Sequence, residues 1–283
     1  MSVAQALREA TARLSATSDT ARLDAELLMA HAFGVDRSGL LIHHMGDQVP
    51  VEFANFLQRR AAREPVAHIV GHQDFYGLTL RVTRDVLIPR SDSESVVETA
   101  LAAVTDARRI LDCGTGSGAL LFALLDNLPE AEGVGVDASA AALAIASENA
   151  ARLGFAPRCD MVQADWTKPG WVNDLGRFDL VISNPPYVED GAVLAPDVRN
   201  FEPAEALFAG PKGLDDYRIL IPQLPGLLTE SGVAVLEIGA LQAAQVTEIA
   251  KEYGFSVEVS QDLGGRDRAL TLRLRVGKGE STS

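Results

Sequence analysis

The alternation of apolar patterns along this chain predicts an α/β protein, a mostly parallel sheet covered by helices on both faces and preceded by a small helical bundle. Three observations carry the prediction. Beyond residue 91, short near-continuous apolar runs alternate with stretches of helical period, which is how buried βα units read. Residues 1–66 hold their apolar side chains at helical spacing. Residues 67–90 switch to a period of two, that of a half-buried strand.

In the bundle, Val3, Leu7, Ala10 and Leu14 mark a first helix. Ser18 and Asp19 offer an N-cap to a second, which carries Leu23, Leu27 and Leu28 and which Gly34 can end. A third is expected near 51–63, with Phe53, Phe56 and Leu57 on one side, and it stops at Glu64-Pro65 because a residue before proline is driven out of the helical region. Three short helices leave an apolar face that needs a partner. The alternation from Asp74 to Val82 around Gly77 predicts a hairpin, followed by the run Val86-Leu87-Ile88 that Pro89 stops. Ser91-Asp92-Ser93-Glu94 before Val96, Val97, Ala100 and Leu101 reads as a capping box.

Seven strands are expected thereafter, at 110–112, 134–137, 160–163, 178–183, 233–238, 255–259 and 269–275, with helices at 120–128, 138–153, 216–228 and 240–253. The last two strands lack a helix between them, so the sheet should end in an antiparallel pair. The expected division is a helical domain over 1–72, a hairpin linker over 73–91, the α/β domain over 92–276 and a disordered tail over 277–283. No internal repeat is visible.

Composition narrows the function. The 283 residues are 47% hydrophobic and 23% charged, the balance of a globular protein with a real core. The net charge of −14, without any Lys/Arg run beyond short pairs, disfavours naked nucleic acid as the main substrate. No apolar stretch is long enough to span a membrane, and Met1-Ser2-Val3-Ala4-Gln5 lacks the blocks of a signal peptide, so a cytoplasmic protein without membrane contact is expected. Cys113 and Cys159 lie in strand-like runs and read as reduced core thiols. His68 and His72 stand four apart with no acidic helix between them, and no metal site is expected.

Candidate site residues fall at strand ends, where open α/β sheets bind ligands. Asp112-Cys113-Gly114-Thr115-Gly116-Ser117-Gly118 joins a strand to a helix, its alternate glycines allowing close approach of a ligand to backbone N–H groups. The spacing is not that of a dinucleotide fingerprint, nor is there a Walker lysine, which argues against pyrophosphate. Asp137 ends the second strand, placed for the hydroxyls of a ribose or as a helix cap. Asp165-Trp166 ends the third, where an acid beside an aromatic face can hold an adenine. Together they suggest a nucleoside cofactor without a long phosphate tail. The fourth strand runs into Asn184-Pro185-Pro186-Tyr187, where two prolines remove two donors and fix two φ angles, a costly way to make an ordinary loop.

In this order the motifs resemble S-adenosylmethionine-dependent methyltransferases that modify a planar nitrogen. The likeness is closest to the HemK family of protein-glutamine methyltransferases and covers nearly the whole chain. It rests on Pro65-Val66-Ala67-His68-Ile69-Val70-Gly71, Val86-Leu87-Ile88-Pro89-Arg90, Glu202-Pro203-Ala204-Glu205-Ala206-Leu207, Gly213-Leu214-Asp215, Leu236-Glu237-Ile238-Gly239 and Gly265-Arg266-Asp267-Arg268. One departure is Ser91, where the family usually has proline.

The resemblance implies a Rossmann-like class I methyltransferase with a seven-stranded sheet and S-adenosyl-L-methionine as cofactor. It also implies class 1 peptide chain release factors as protein partners, methylated on the glutamine of a Gly-Gly-Gln motif and gripped by the N-terminal bundle. Cofactor contacts are expected from Asp112, Gly114, Thr115, Gly116, Ser117, Gly118, Asp137, Asp165, Trp166 and Asn184. An amide nitrogen is a poor nucleophile, so acceptors from the Asn184 side chain and the Pro185 carbonyl would aim its lone pair and favour the charge developing on it. Tyr187 offers a face to stack on the amide, and Pro186 completes the substrate-binding turn. A monomer is expected. Arg90 and Glu94 either touch substrate or fix the linker. The rival readings are an adenine-N(6) DNA or RNA methyltransferase, which should carry a basic groove, and a non-catalytic adaptor, which need not keep the glycine loop.

Overall fold

The computed structural model describes residues 1–275; the tail expected over 277–283 lies outside the described residues. Two compact units are present. The first comprises Met1–His72, Val82–Arg84 and Val193–Glu202, and the second Gln73–Arg81, Asp85–Ala192 and the chain from Pro203 onward. The division is thus discontinuous, unlike the contiguous 1–72, 73–91 and 92–276, because charges recruit two later segments to the first unit. Arg84 pairs with Glu64 at 3.2 Å and lies over the Phe201 ring, while Asp197 stands 3.9 Å from Arg60.

The first unit holds five helices before residue 72, α1 (Val3–Leu14), α2 (Ala21–Phe33), α3 (Arg37–His43), α4 (Phe53–Ala61) and α5 (Val66–Val70). The expected three are α1, α2 and α4. The two others are short, and in α3 only Leu40 is buried, so neither imposes a readable period. Gly34 ends α2 in the left-handed conformation as expected, but the N-cap is Thr20, and Leu23 is exposed. Ser18 instead donates to Asp24, which takes Arg60 in a buried ion pair at 2.6 Å. A sixth helix, the four-residue α9 (Pro196–Arg199), lies in the later segment.

In the second unit β1 (His72–Phe75) and β2 (Leu78–Arg81) form the expected hairpin. Tyr76 and Gly77 both have positive φ, 50° and 80°, the primed turn that matches strand twist. Glu94 does not close a capping box. A 3-10 turn over Ser91–Ser93 leads into α6 (Glu94–Ala103), and the Glu94 carboxylate accepts the Tyr76 backbone N–H at 2.9 Å, tying down the hairpin turn.

The seven-stranded sheet follows as β3 (Arg109–Cys113), α7 (Ala119–Asn127), β4 (Glu132–Asp137), α8 (Ala140–Leu153), β5 (Cys159–Gln163) and β6 (Phe178–Ser183). It continues with α10 (Asp215–Leu220), α11 (Leu224–Leu227), β7 (Leu228–Glu237), α12 (Ala243–Glu252), β8 (Phe255–Gln261) and β9 (Asp267–Leu274). The helix expected over 216–228 is broken because Pro222 and Pro225 cannot donate within it, and a 3-10 turn joins α10 to α11. Strand order is β5-β4-β3-β6-β7-β9-β8, with β9 antiparallel to both neighbours.

Successive strand residues feed opposite cores. Ile110, Leu180, Ile182 and Val235 pack on one face with Leu121 and Phe122, and Leu111, Val181, Ala234 and Leu236 on the other with Tyr217 and Leu224. Each such buried aliphatic contributes about 1.5–3 kcal/mol. Burial on both faces is why the strands read as unbroken apolar runs.

Asn149, fully buried on α8, accepts from Arg81 N at 2.7 Å and donates to the carbonyls of Arg81 and Ser117, bracing the loop after β3 against the hairpin. Asn149→Ala leaves three backbone groups without this partner and is expected to destabilise the protein by about 2–4 kcal/mol in denaturant unfolding. An unchanged unfolding midpoint would contradict the bracing role.

Candidate active site

The chain runs β3, β4, β5 outward and then crosses back to lay β6 beside β3, so the strand order reverses between β3 and β6. Loops leave both strand ends in opposite directions there, which opens a crevice. In register, Cys113 pairs with Val136 and Ser183, and Ser183 with Leu236, so these C-terminal ends form one edge.

A cavity of about 280 Å³ lies along that edge, within the second unit. Of the expected site residues, Asp112, Gly114, Thr115, Gly116, Ser117, Asp137, Asp165, Trp166, Asn184 and Pro186 line it. Gly118, Pro185 and Tyr187 do not. Gly118 caps α7 at φ 85°, and a Cβ there would sit 2.1 Å from Phe122, so conformation and helix packing both require the glycine.

The loop after β3 is wound onto β4. Gly114 N and Thr115 N both donate to Val136 O at 2.9 Å, and Gly116 N donates to Asp137 Oδ2 at 2.9 Å. Asp137 also caps the chain ahead, accepting from Ser139 N at 2.9 Å. Gly114 has φ 75°, and a side chain on it would meet the Trp166 ring at 3.1 Å. Trp166 is pinned in turn, its Nε1 donating to Asp216 Oδ1 at 2.9 Å.

Asp112 is buried and accepts from Thr115 Oγ1 at 2.8 Å through one oxygen, while Oδ1 has no protein partner. Burial, reinforced by the charge of Asp137, pushes its pKa up to about 7. Asp165 is held low by the Thr167 hydroxyl and N–H, both within 2.9 Å of Oδ1. Asp216 is raised by burial, against the indole hydrogen bond.

Sequence reasoning missed Asp216, taking it as the start of a long helix. It also missed Phe75 and Leu87 as cavity walls, since both were assigned to the hairpin and linker.

Asn184 opens on the cavity, and its carboxamide makes no hydrogen bond to any described residue. Just before it, Ser183 Oγ donates to Cys113 O at 2.6 Å, anchoring the turn to β3. Tyr187 does not line the cavity. Its hydroxyl donates to Glu237 Oε1 at 3.3 Å, and burial raises its pKa. Glu237 is itself buried, which pushes its carboxyl up to about 7 despite Ser93, Arg268 and Tyr187. Among the described residues, no His, Cys, Asp and Glu group could hold a metal ion, and no helix is long and apolar enough to cross a membrane.

Sheet order, glycine loop and acidic strand ends together define a class I methyltransferase. The fold recurs in the hMettl16 catalytic domain (TM-score 0.55, 16% identity, 71% of this chain and 77% of that one). It recurs also in a methyltransferase from Pyrococcus furiosus (TM-score 0.52, 16% identity, 77% of this chain and 98% of that one). Family profiles match a PrmC N-terminal domain over residues 5–71 and a methyltransferase domain over 105–214. The release factor glutamine methyltransferase of Cereibacter sphaeroides is 43% identical over 97% of this chain and 99% of its own length. That of Moorella thermoacetica is 41% identical over 95% and 98%. This chain belongs to the release factor glutamine methyltransferase family.

The buried carboxyl of Glu237 makes stability depend on pH. It keeps its proton to about pH 7 when folded and releases it near the ordinary 4.5 when unfolded. Its contribution is therefore complete below about pH 4.5 and lost as pH rises through 7. Over that window Glu237→Gln is expected to flatten the fall in unfolding free energy by on the order of 1–3 kcal/mol, read from urea titrations. Parallel pH profiles for variant and wild type would refute the assignment.

Proposed function

We propose that this chain transfers a methyl group from S-adenosyl-L-methionine to the side-chain amide nitrogen of the glutamine in the Gly-Gly-Gln motif of class 1 peptide chain release factors. The observation that carries the reading is Asn184, an uncommitted carboxamide on a doubly proline-stiffened turn, lining the same cavity as the glycine loop. The likeness to release factor glutamine methyltransferases over nearly the full length supports a release factor as the protein substrate.

The residues present fit the cofactor. Gly114 and Gly116 leave the loop open to close approach, and Asp137 retains acceptor lone pairs toward the cavity for ribose hydroxyls. Asp112 Oδ1, buried and without a protein partner, suits the ammonium of an amino-acid tail. Asp165 and Asp216 flank Trp166 at the end where a purine would lie against the indole. Six carboxyl-bearing residues, Asp85, Asp112, Asp137, Asp165, Glu205 and Asp216, line the cavity against one cation, Arg90, which favours a ligand carrying positive charge. S-adenosyl-L-methionine supplies an electrophilic methyl on a sulfonium.

The chain's own contribution is positioning and electrostatics. The Asn184 side-chain oxygen accepts one N–H of the substrate amide, and the Pro185 carbonyl is the proposed acceptor of the other. Held so, the amide nitrogen presents its lone pair, perpendicular to the amide plane, toward the electrophilic methyl, and both acceptors strengthen as positive charge develops on nitrogen. No strong base is required, since the nitrogen becomes acidic only after methylation. The helical unit is the proposed grip on the release factor, and the reaction belongs in the cytoplasm. The net charge of −14 speaks against a nucleic-acid base as the acceptor.

Asn184→Ala and Asn184→Asp are expected to lower kcat/KM for release factor methylation at least ~100-fold, while affinity for S-adenosylhomocysteine stays within about tenfold. Transfer at the wild-type rate by either variant would sink the reading.

A further inference from the structure

Three motifs that the proposed chemistry leaves unused, Gly213-Leu214-Asp215, Leu236-Glu237-Ile238-Gly239 and Gly265-Arg266-Asp267-Arg268, meet behind the Asn-Pro-Pro-Tyr turn. At their centre is Gln242, which no motif contains. It is 9% exposed, and its carboxamide Nε2 donates to Tyr187 O and Gly213 O, both at 3.0 Å. Its Oε1 accepts from Gly239 N at 3.0 Å.

Both glycines are required by this arrangement. A Cβ on Gly213, which has φ 62°, would lie 2.1 Å from Tyr187 O and 2.8 Å from Gln242 Nε2. One on Gly239 would lie 2.8 Å from Gln242 Oε1.

A second clamp holds the Tyr187 side chain. Glu237 Oε1 accepts its hydroxyl, and Arg268 closes the group from β9, bonding Asp92 at 3.1 Å, Asp262 at 3.5 Å and the Ile238 carbonyl at 3.3 Å. Glu237 Oε2 is buried without a partner, a cost to stability that an apolar residue at this strand end would avoid. Beyond the tyrosine, Val188 N donates to Leu207 O at 2.8 Å and Val188 O accepts from Ala209 N at 2.9 Å. With Ser183 tied to Cys113 on the other side, the turn is fixed at both ends and open where Asn184 and Pro186 meet the cavity.

We propose that Gln242 and Glu237 are positioning residues for methyl transfer, holding the Tyr187 end of the turn so that Asn184 presents its carboxamide to the substrate at one angle. Neither lines the cavity, and the side-chain hydrogen bonds of both go to the back of the turn and its neighbours. The inference rests on the methyltransferase reading above. A misplacement of about 1 Å at the reacting group can cost on the order of 100-fold in rate, whereas binding of a cofactor held by other loops is little changed.

Gln242→Met keeps the side chain's length and removes both donors. Relative to wild type, its kcat for release factor is expected to fall about 10–100-fold, with the dissociation constant for S-adenosylhomocysteine and the KM for release factor within about threefold. Hydrogen exchange at the Tyr187 and Val188 amides should speed up at least ~10-fold, with exchange in 112–118 unchanged. Glu237→Gln serves as the second variant, with the same split at smaller size, should Gln242→Met fail to fold.

Unchanged kcat, kcat and cofactor affinity falling together, or unchanged exchange at Tyr187 and Val188 in the folded variant would each overturn the proposal. The exchange measurement reads the clamp without turnover. A wild-type protein inactive on release factor would therefore count against the functional reading while the clamp is still judged on its own.

Discussion

The site depends on the parallel pairing of β3 with β4 on one side and β6 on the other. Parallel strands deliver all their following loops to one edge, and the reversal of strand order between β3 and β6 parts two of those loops. The glycine loop, Asp137 and the Asn-Pro-Pro-Tyr turn consequently occupy a single cavity, although 72 residues of sequence separate Asp112 from Asn184. A one-residue slip of β6 would exchange its two buried faces, so register is enforced by Leu180 and Ile182 on one core and Val181 on the other.

On this frame, hydrogen bonds made for folding also shape the site. Asp137 winds the glycine loop onto β4 with one oxygen and with the other accepts the N–H of Ser139, the residue that caps α8. Asp216 fixes the indole that forms one wall, and Asn149 braces the far side of the loop. Two buried carboxyls, Asp112 and Glu237, are both raised to about 7 chiefly by burial. Asp112 faces the cavity and would be relieved by a cationic ligand, whereas Glu237 faces the back of the turn.

Much of this was legible in the sequence because the signals are local. An apolar run buried on both faces names its own ends, and the strand expected at 178–183 is observed as Phe178–Ser183. The glycine loop and the double proline likewise report backbone constraints that no partner is needed to interpret. What was not legible depends on tertiary partners. Nothing in the run 269–275 says that β9 lies between β7 and β8. Short helices such as α3 bury too little to show a period, and Pro222 was passed over in a pattern that otherwise read as helical. That the Tyr187 hydroxyl meets Glu237 was not legible, since a tyrosine after two prolines offers no hint of a buried glutamate behind it. Gln242 and Asp216 gave no signal because a single polar residue acquires meaning only from what it touches. Gly118, expected as a cofactor contact, has a packing reason of its own in Phe122.

The central claim is that the amide held by Asn184 belongs to a glutamine in a release factor. It is tested most directly by tandem mass spectrometry of purified class 1 release factors after incubation with this protein and S-adenosyl-L-methionine. The account predicts one added methyl group, localised to the side-chain nitrogen of the Gly-Gly-Gln glutamine and absent when the cofactor is left out. Release factors recovered unmodified, with methyl label found instead on adenine in added DNA or RNA, would contradict it.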